Sequence, residues 1–225
     1  MELRYLGHSA VLLSDGETDV LIDPFLSGNP KAAISAEEVP ADVILLTHGH
    51  GDHFGDTVEI AKRTGAPVLA IKEVADEIAA EGVEVFDPNL GGTVMFEWGR
   101  VKLVPAWHTS TTPKGTPSTP AGLVIDFRGT IVYHLGDTCL FSDLKLAASR
   151  GNPIDIALVP IGGHYTMDRF DAVTAVEFVA PKFVVPVHYD TFPPIETDAQ
   201  GFKRDVETET SAKCLVLAPG ESHSF

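Results

Sequence analysis

Cysteine is scarce in this sequence: its 225 residues hold 2, Cys139 and Cys214, far apart and without a CxxC spacing. That count excludes both a disulfide framework and a thiolate metal site, and two buried free thiols are the expectation. Positive charge is short as well. Lys and Arg number 16 against 32 Asp and Glu, giving a formal charge of −16 and a sequence pI near 4.8. Such a balance argues against a surface that follows nucleic-acid phosphates or lies on an anionic membrane. No apolar run is long enough to span a bilayer, and the opening MELRYLGHSAVLL has neither a basic leader nor a small-residue cleavage site. These absences point to a cytoplasmic protein whose partner is a small-molecule substrate. Association between copies of the chain stays open.

Hydrophobic residues make up 44% of the chain, enough to fill one large core, and a single domain over 1–225 is expected. The organising stretch is VILLTHGHGDHFG, Val43 to Gly55. Val43 to Leu46 is a continuous branched apolar run, the pattern of a strand buried on both faces. Beyond it come His48, His50, Asp52 and His53, separated by Gly49 and Gly51 alone. Imidazole and carboxylate suit a divalent transition metal, and glycine lets the backbone turn until the side chains converge. A His-rich surface loop is the plain alternative; four donors placed where a buried strand ends favour metal. Four side chains that cannot all face one point imply two ions and further ligands downstream.

The rest of the chain alternates strands with helices. Leu3 to Leu6, Ala10 to Leu13 and Val20 to Ile22 read as strands, with Asp15-Gly16 as a hairpin turn. Helices are expected over Asp56 to Arg63 and Glu73 to Ala80, with strand Val68 to Ile71 between them. Strands Val94 to Trp98 and Val101 to Val104 flank a turn at Gly99-Arg100, and the second delivers His108. Thr109 to Pro120, built of Thr, Ser, Pro and Gly around one lysine, is a loop beside His108, either a lid or plain surface. A hairpin about Arg128-Gly129 leads to Asp137, a helix follows from about Phe141 to Ser149, and strand Ile156 to Pro160 leads to His164. A helix over Asp168 to Val179 precedes strand Phe183 to Val187, which delivers His188. Strands ending in His or Asp in both halves suggest sheet packed on sheet, helices outside, and a site along one edge.

The order THGHGDH, then a His after a strand, then GDT, then a final His after a strand resembles the metallo-β-lactamase superfamily across nearly the whole chain. GHSAVLL near the start, DPF at Asp23 to Phe25 and PIGGHYTMD at Pro160 to Asp168 look most like the metal-dependent hydrolases related to L-ascorbate-6-phosphate lactonase. The resemblance implies an α+β, four-layer αββα sandwich. It implies His48, His50 and His108 on a first metal, Asp52, His53 and His188 on a second, and Asp137 bridging, the ions being zinc or manganese. A dinuclear centre of that kind uses a bridging hydroxide as nucleophile, with Asp52 or Asp137 moving a proton. His164 is expected to act in catalysis, either facing substrate or supporting the residues that do. His8 is either near the site or a core histidine, Asp23 holds a loop, orients a metal-binding histidine or touches substrate, His134 packs, Cys139 is structural and His223 is solvated.

A hydrolase of a lactone or phosphodiester is the first reading. An iron-dependent oxidoreductase of persulfide-dioxygenase type on the same fold is the second, and a non-catalytic metal-binding protein the third.

Overall fold

The computed structural model describes residues 1–147 and 153–225. Among these, two seven-stranded sheets face each other. The first is built from β1 (Glu2–Gly7), β2 (Ala10–Ser14), β3 (Asp19–Ile22), β4 (Val43–Leu45), β5 (Val68–Leu69) and β6 (Val85–Phe86), closed at the β1 edge by β14 (Ser222–Ser224). The second runs from β7 (Thr93–Phe96) through β8 (Gly99–Pro105), β9 (Ala121–Phe127), β10 (Thr130–His134), β11 (Ile156–Pro160) and β12 (Phe183–Val187) to β13 (Lys213–Cys214). Each sheet opens with antiparallel strands, β14-β1-β2-β3 and β7-β8-β9-β10, and turns parallel from the fourth, β3 to β4 and β10 to β11. The expected αββα layering is present: α2 (Thr57–Thr64) and α3 (Lys72–Ala79) lie on β4 and β5, and α4 (Arg169–Val179) and α5 (Ala199–Glu209) on β11 and β13.

Period-two geometry explains why the central strands read as unbroken apolar runs. Ile156 and Leu158 of β11, and Val185 and Val187 of β12, enter the core between the sheets with Leu3, Ile44, Val101 and Ile125. Their neighbours Ala157, Val159 and Val184 enter a second core under α4 and α5, with Val176 and Phe202. Asp168 caps α4 by accepting from the amides of Phe170 and Asp171 at 2.9 Å each.

Several expectations are corrected. The β7–β8 turn lies at Glu97-Trp98, with Phe96 opposite Gly99. Gly99 is needed inside the strand, because a Cβ there would stand 1.8 Å from the Asp126 carbonyl. The helix expected from Phe141 is a short 3-10 segment, Ser142–Leu146, for which Phe141 supplies no side-chain cap; its last two expected residues lie outside those described. Elements beyond His188 (α5, β13 and β14) had no expectation, and neither had the four-residue α1 (Gly51–Phe54). Cys139 is exposed, on a backbone whose amide bonds to the Trp107 carbonyl, and so is not the buried thiol expected. Cys214 is buried as expected, and burial pushes its thiol up to about 12. His223 is half-buried beside Phe183 and Phe225 on β14, so it is not simply solvated.

Candidate metal centre

Strand ends on one edge of the sandwich deliver the chemistry. β3 ends at Asp23, β4 at Thr47 and His48, β8 at His108, β10 at Asp137 and β12 at His188. The β1–β2 turn supplies His8, and α1 carries Asp52 and His53 one turn beyond His50. Three overlapping donor groups result: His48, His50 and His108; His48, His53 and Asp137; and His8, Asp52, His53 and His188, each with its donor atoms within 4.8 Å of one another.

All seven residues expected to bind metal are therefore brought together, and His8 joins them. His48 Nε2 and His50 Nδ1 are 3.0 Å apart, and His188 Nε2 is 3.1 Å from Asp137 Oδ2. Donors about 2.1 Å from a shared ion lie about 3 Å apart when at right angles to it. Asp137 faces both sides, with Oδ1 3.3 Å from His53 Nε2 and Oδ2 3.6 Å from His108 Nε2. Buried polar atoms normally find partners, yet His53 Nε2, Asp137 Oδ1 and both ring nitrogens of His188 have no hydrogen bond. Orphaned donors of this type, converging in a water-poor interior, fit divalent metal and little else.

Supporting hydrogen bonds aim the imidazoles. Buried Asp23 accepts from the Thr47 amide at 2.8 Å and the Thr47 hydroxyl at 2.6 Å, and His53 Nδ1 lies 2.8 Å from Asp23 Oδ2. With its proton committed to Asp23, Thr47 Oγ1 accepts from His48 Nδ1 at 3.0 Å. Both rings thereby turn Nε2, and not Nδ1, toward the centre. Asp23 orients the His53 ring directly and the His48 ring through Thr47, which accords with one of the three roles expected of it. His134 bonds to the Ser9 carbonyl at 3.2 Å and accepts from the Gly136 amide, a packing role as expected.

Strain marks the same residues. His8, Asp23 and His188 hold positive φ of 58°, 45° and 55°, conformations that cost about 1–3 kcal/mol in non-glycine residues and collect at functional sites.

Electrostatics within the cluster are mutual. Burial opposes charge on His53, but the Asp137 and Asp23 carboxylates outweigh it and hold the imidazole well above its ordinary value. Burial likewise opposes the charge of His188, which Asp137 and Asp52 lift to about 9. His8 is lowered to about 4, chiefly by burial, and burial also takes His48 well below its ordinary value. Asp52 and Asp137 both stay ionised against burial, held down mainly by His188 together with His8 and His53.

The mouth lies on the side of Asp52, whose side chain is 32% exposed, and of His50 and His108. Trp107, 65% exposed, stands beside His108 with Phe141 against it. His164 is outside the donor groups: it is exposed, its ring edge-on to Tyr165. Its loop touches the site through Gly162, packed on the His188 carbonyl, and through the Met167 amide, bonded to the Thr138 carbonyl. The Thr109 to Pro120 segment is pinned. Ser110 accepts from the Gly49 amide, Glu77 of α3 accepts from the Thr112 and Thr116 hydroxyls, and Lys114 pairs with Glu81.

A family model described as the β-lactamase superfamily domain matches residues 2–188. A protein of Thermus thermophilus named as a UPF0173 metal-dependent hydrolase is 50% identical over 222 residues, covering 98% of this chain and 97% of its own. A protein of Thermococcus kodakarensis with the same description is 46% identical over 223 residues, covering 98% of each. Among solved structures, the metallo hydrolase Igni18 of Ignicoccus hospitalis is similar at TM-score 0.90 and 36% identity, with 100% of this chain and 98% of that one covered.

Proposed function

The chain belongs to the β-lactamase superfamily, among its UPF0173 metal-dependent hydrolases, and from that premise we propose that it hydrolyses a small cyclic ester, a lactone, at a centre of two divalent ions. The observation that carries this reading is the pair of donor groups joined through Asp137, with orphaned buried atoms on both His53 and His188. His48, His50 and His108 would hold one ion; Asp52, His53 and His188 the other; and Asp137 would lie between them. Zinc or manganese suits these nitrogen and oxygen donors. Bound there, the pair would supply an acidified water and an electrophile for the carbonyl oxygen.

The chain's own residues do the rest. Buried Asp137 is held between His53, His108 and His188 and has no route to solvent, so it fixes the spacing of the two donor groups. Asp52 reaches water with one third of its side chain exposed and is the carboxylate placed to take the proton of the attacking water and hand it outward. Trp107 and Phe141 offer an apolar wall, and His164 and Tyr165 a polar one, for the body of the substrate. The likeness of GHSAVLL, DPF and PIGGHYTMD to the lactonase-related hydrolases favours the lactone, and a phosphodiester, whose anion two divalent ions would equally neutralise, is the alternative.

Hydrolysis of a sugar-type lactone and a generic phosphodiester, side by side with zinc- or manganese-loaded protein and chelated controls, tests the reading. Chelator-sensitive cleavage of the lactone alone is expected. Cleavage of the phosphodiester alone overturns the bond class. Turnover of neither, with oxygen consumed by iron-loaded protein, would place the chain with iron-dependent oxidoreductases.

A further inference from the structure

Outside the seven residues discussed so far, one buried histidine enters the same cluster. His8 is 0% exposed, its Nε2 stands 3.1 Å from Asp52 Oδ2, and its ring is 4.2 Å from that of His188 and 5.6 Å from that of His53, centroid to centroid. We propose that His8 is itself a ligand of the second ion, completing a group of His8, Asp52, His53 and His188. The inference rests on the two-metal reading above.

Three observations support it. The first is wiring. His8 Nδ1 lies 2.8 Å from Thr191 Oγ1, and that hydroxyl is within 3.3 Å of the Tyr189 carbonyl. Read as Nδ1–H to Oγ1 and Oγ1–H to the carbonyl, every donor has an acceptor and Nε2 is left bare toward Asp52 and His188. His48 shows the same arrangement through Thr47 and Asp23, and His53 shows it through Asp23 directly. A histidine that ligates metal almost always donates its other ring proton in this way.

The second is backbone restraint. His8 is held at a φ of 58°, its carbonyl accepting from the Tyr5 hydroxyl at 3.0 Å and from the His188 amide at 2.8 Å. Two strained histidines of one donor group thus fix each other. A core histidine that only filled space would not require this.

The third is spacing, since 3.1 Å between His8 Nε2 and Asp52 Oδ2 matches the 3.0 Å and 3.1 Å separations elsewhere in the centre.

A rival arrangement exists and differs by one proton position. If Nε2 of His8 carries the proton and donates to Asp52, Nδ1 must accept from Thr191, which then gives up the Tyr189 carbonyl. His8 would then be a positioning residue for Asp52 and not a ligand.

The test is calorimetric titration of metal-free protein with manganese(II), together with cobalt(II) absorption spectra, for the native chain and for His8→Ala, Thr191→Val and Thr191→Ser. The native chain is expected to take two equivalents. His8→Ala should bind the first as before and the second about tenfold to a hundredfold more weakly, with the cobalt bands of the second equivalent intensified as its coordination number falls. Thr191→Val, which removes the hydroxyl and keeps the volume, should weaken the second equivalent in the same direction, and Thr191→Ser should restore it. Thr191→Val also keeps the test alive should His8→Ala fail to fold. Unchanged affinity and spectrum of the second equivalent in folded His8→Ala overturn the assignment. So does weaker binding with no change in the cobalt bands, the outcome expected of a positioning residue. A native chain that takes one equivalent overturns the two-metal reading instead, so the two failures are told apart.

Discussion

His53 and Asp23 meet in the interior, Nδ1 to Oδ2 at 2.8 Å, with neither side chain touching solvent. One carboxylate therefore decides which nitrogen of the motif histidine is free, and through Thr47 it decides the same for His48. Asp23→Asn keeps the volume but places an NH2 against one of these donors. Metal affinity is expected to fall about tenfold to a hundredfold, with loss of about 1–3 kcal/mol of stability from the donor left unpaired. Isothermal titration and thermal melts measure both, and native values for the pair would remove Asp23 from the centre.

Asp137→Ala deletes the group shared by both donor sets. Metal occupancy and turnover are expected to vanish together while far-ultraviolet circular dichroism stays native, because the strands around it are held by the two cores. A variant that keeps two ions and full activity would end the bridging assignment.

The pH dependence of the metal-free chain has a definite sign. His188, held at about 9 against an ordinary 6.5, contributes stability that is complete below 6.5 and is lost as pH climbs through 9. His53 acts in the same direction. His8, lowered to about 4, acts oppositely: below 6.5 the unfolded chain takes up a proton that the folded one refuses. Melting temperature without metal should therefore peak near pH 6.5 and decline on either side. Metal loading above that pH should release protons from His53 and His188, seen as a dependence of the titration heat on buffer ionisation enthalpy. A melting temperature that rises steadily toward pH 9 would show that neither histidine carries charge in the folded state.

His164→Ala and Trp107→Ala touch no donor group. Each should keep its metal content while turnover falls, through KM for Trp107 if that ring packs on the substrate. An unchanged rate in His164→Ala would return that residue to a role in its loop alone.

Gly162 passes so close to His188 that a Cβ would stand 2.3 Å from the His188 carbonyl and 2.8 Å from the Ile195 Cβ. Gly162→Ala must push β11's loop off the metal edge, at a cost of about 1–3 kcal/mol. A melting temperature equal to the native one would show that the loop yields freely.

The sequence displayed much of this in advance because its chemistry sits at strand ends. An apolar run ending in THGHGDH marks β4 and its ligands through composition alone, and His108, Asp137 and His188 follow runs equally plain. His8 was harder to place: GHS sits in a turn between two strands, and its partner Thr191 lies far along the chain with no periodicity to signal it. Positive φ at Asp23 and His188 is invisible in residue type, since neither is glycine. Gly99 signals a bend by residue type, whereas close approach to Asp126 is what requires it and the turn lies at Glu97-Trp98. α5 and the last two strands follow a stretch of mixed polarity whose burial becomes evident only against β12 and β1.

The contact between His8 and Thr191 joins positions 183 apart. Closing a loop over that span costs entropy that the packing of both sheets must offset. During synthesis the THGHGDH segment emerges well before Asp137 or His188, and an ion met at that moment finds only part of its final coordination. The donor groups are thus complete only in the finished chain, with residues from both sheets in place.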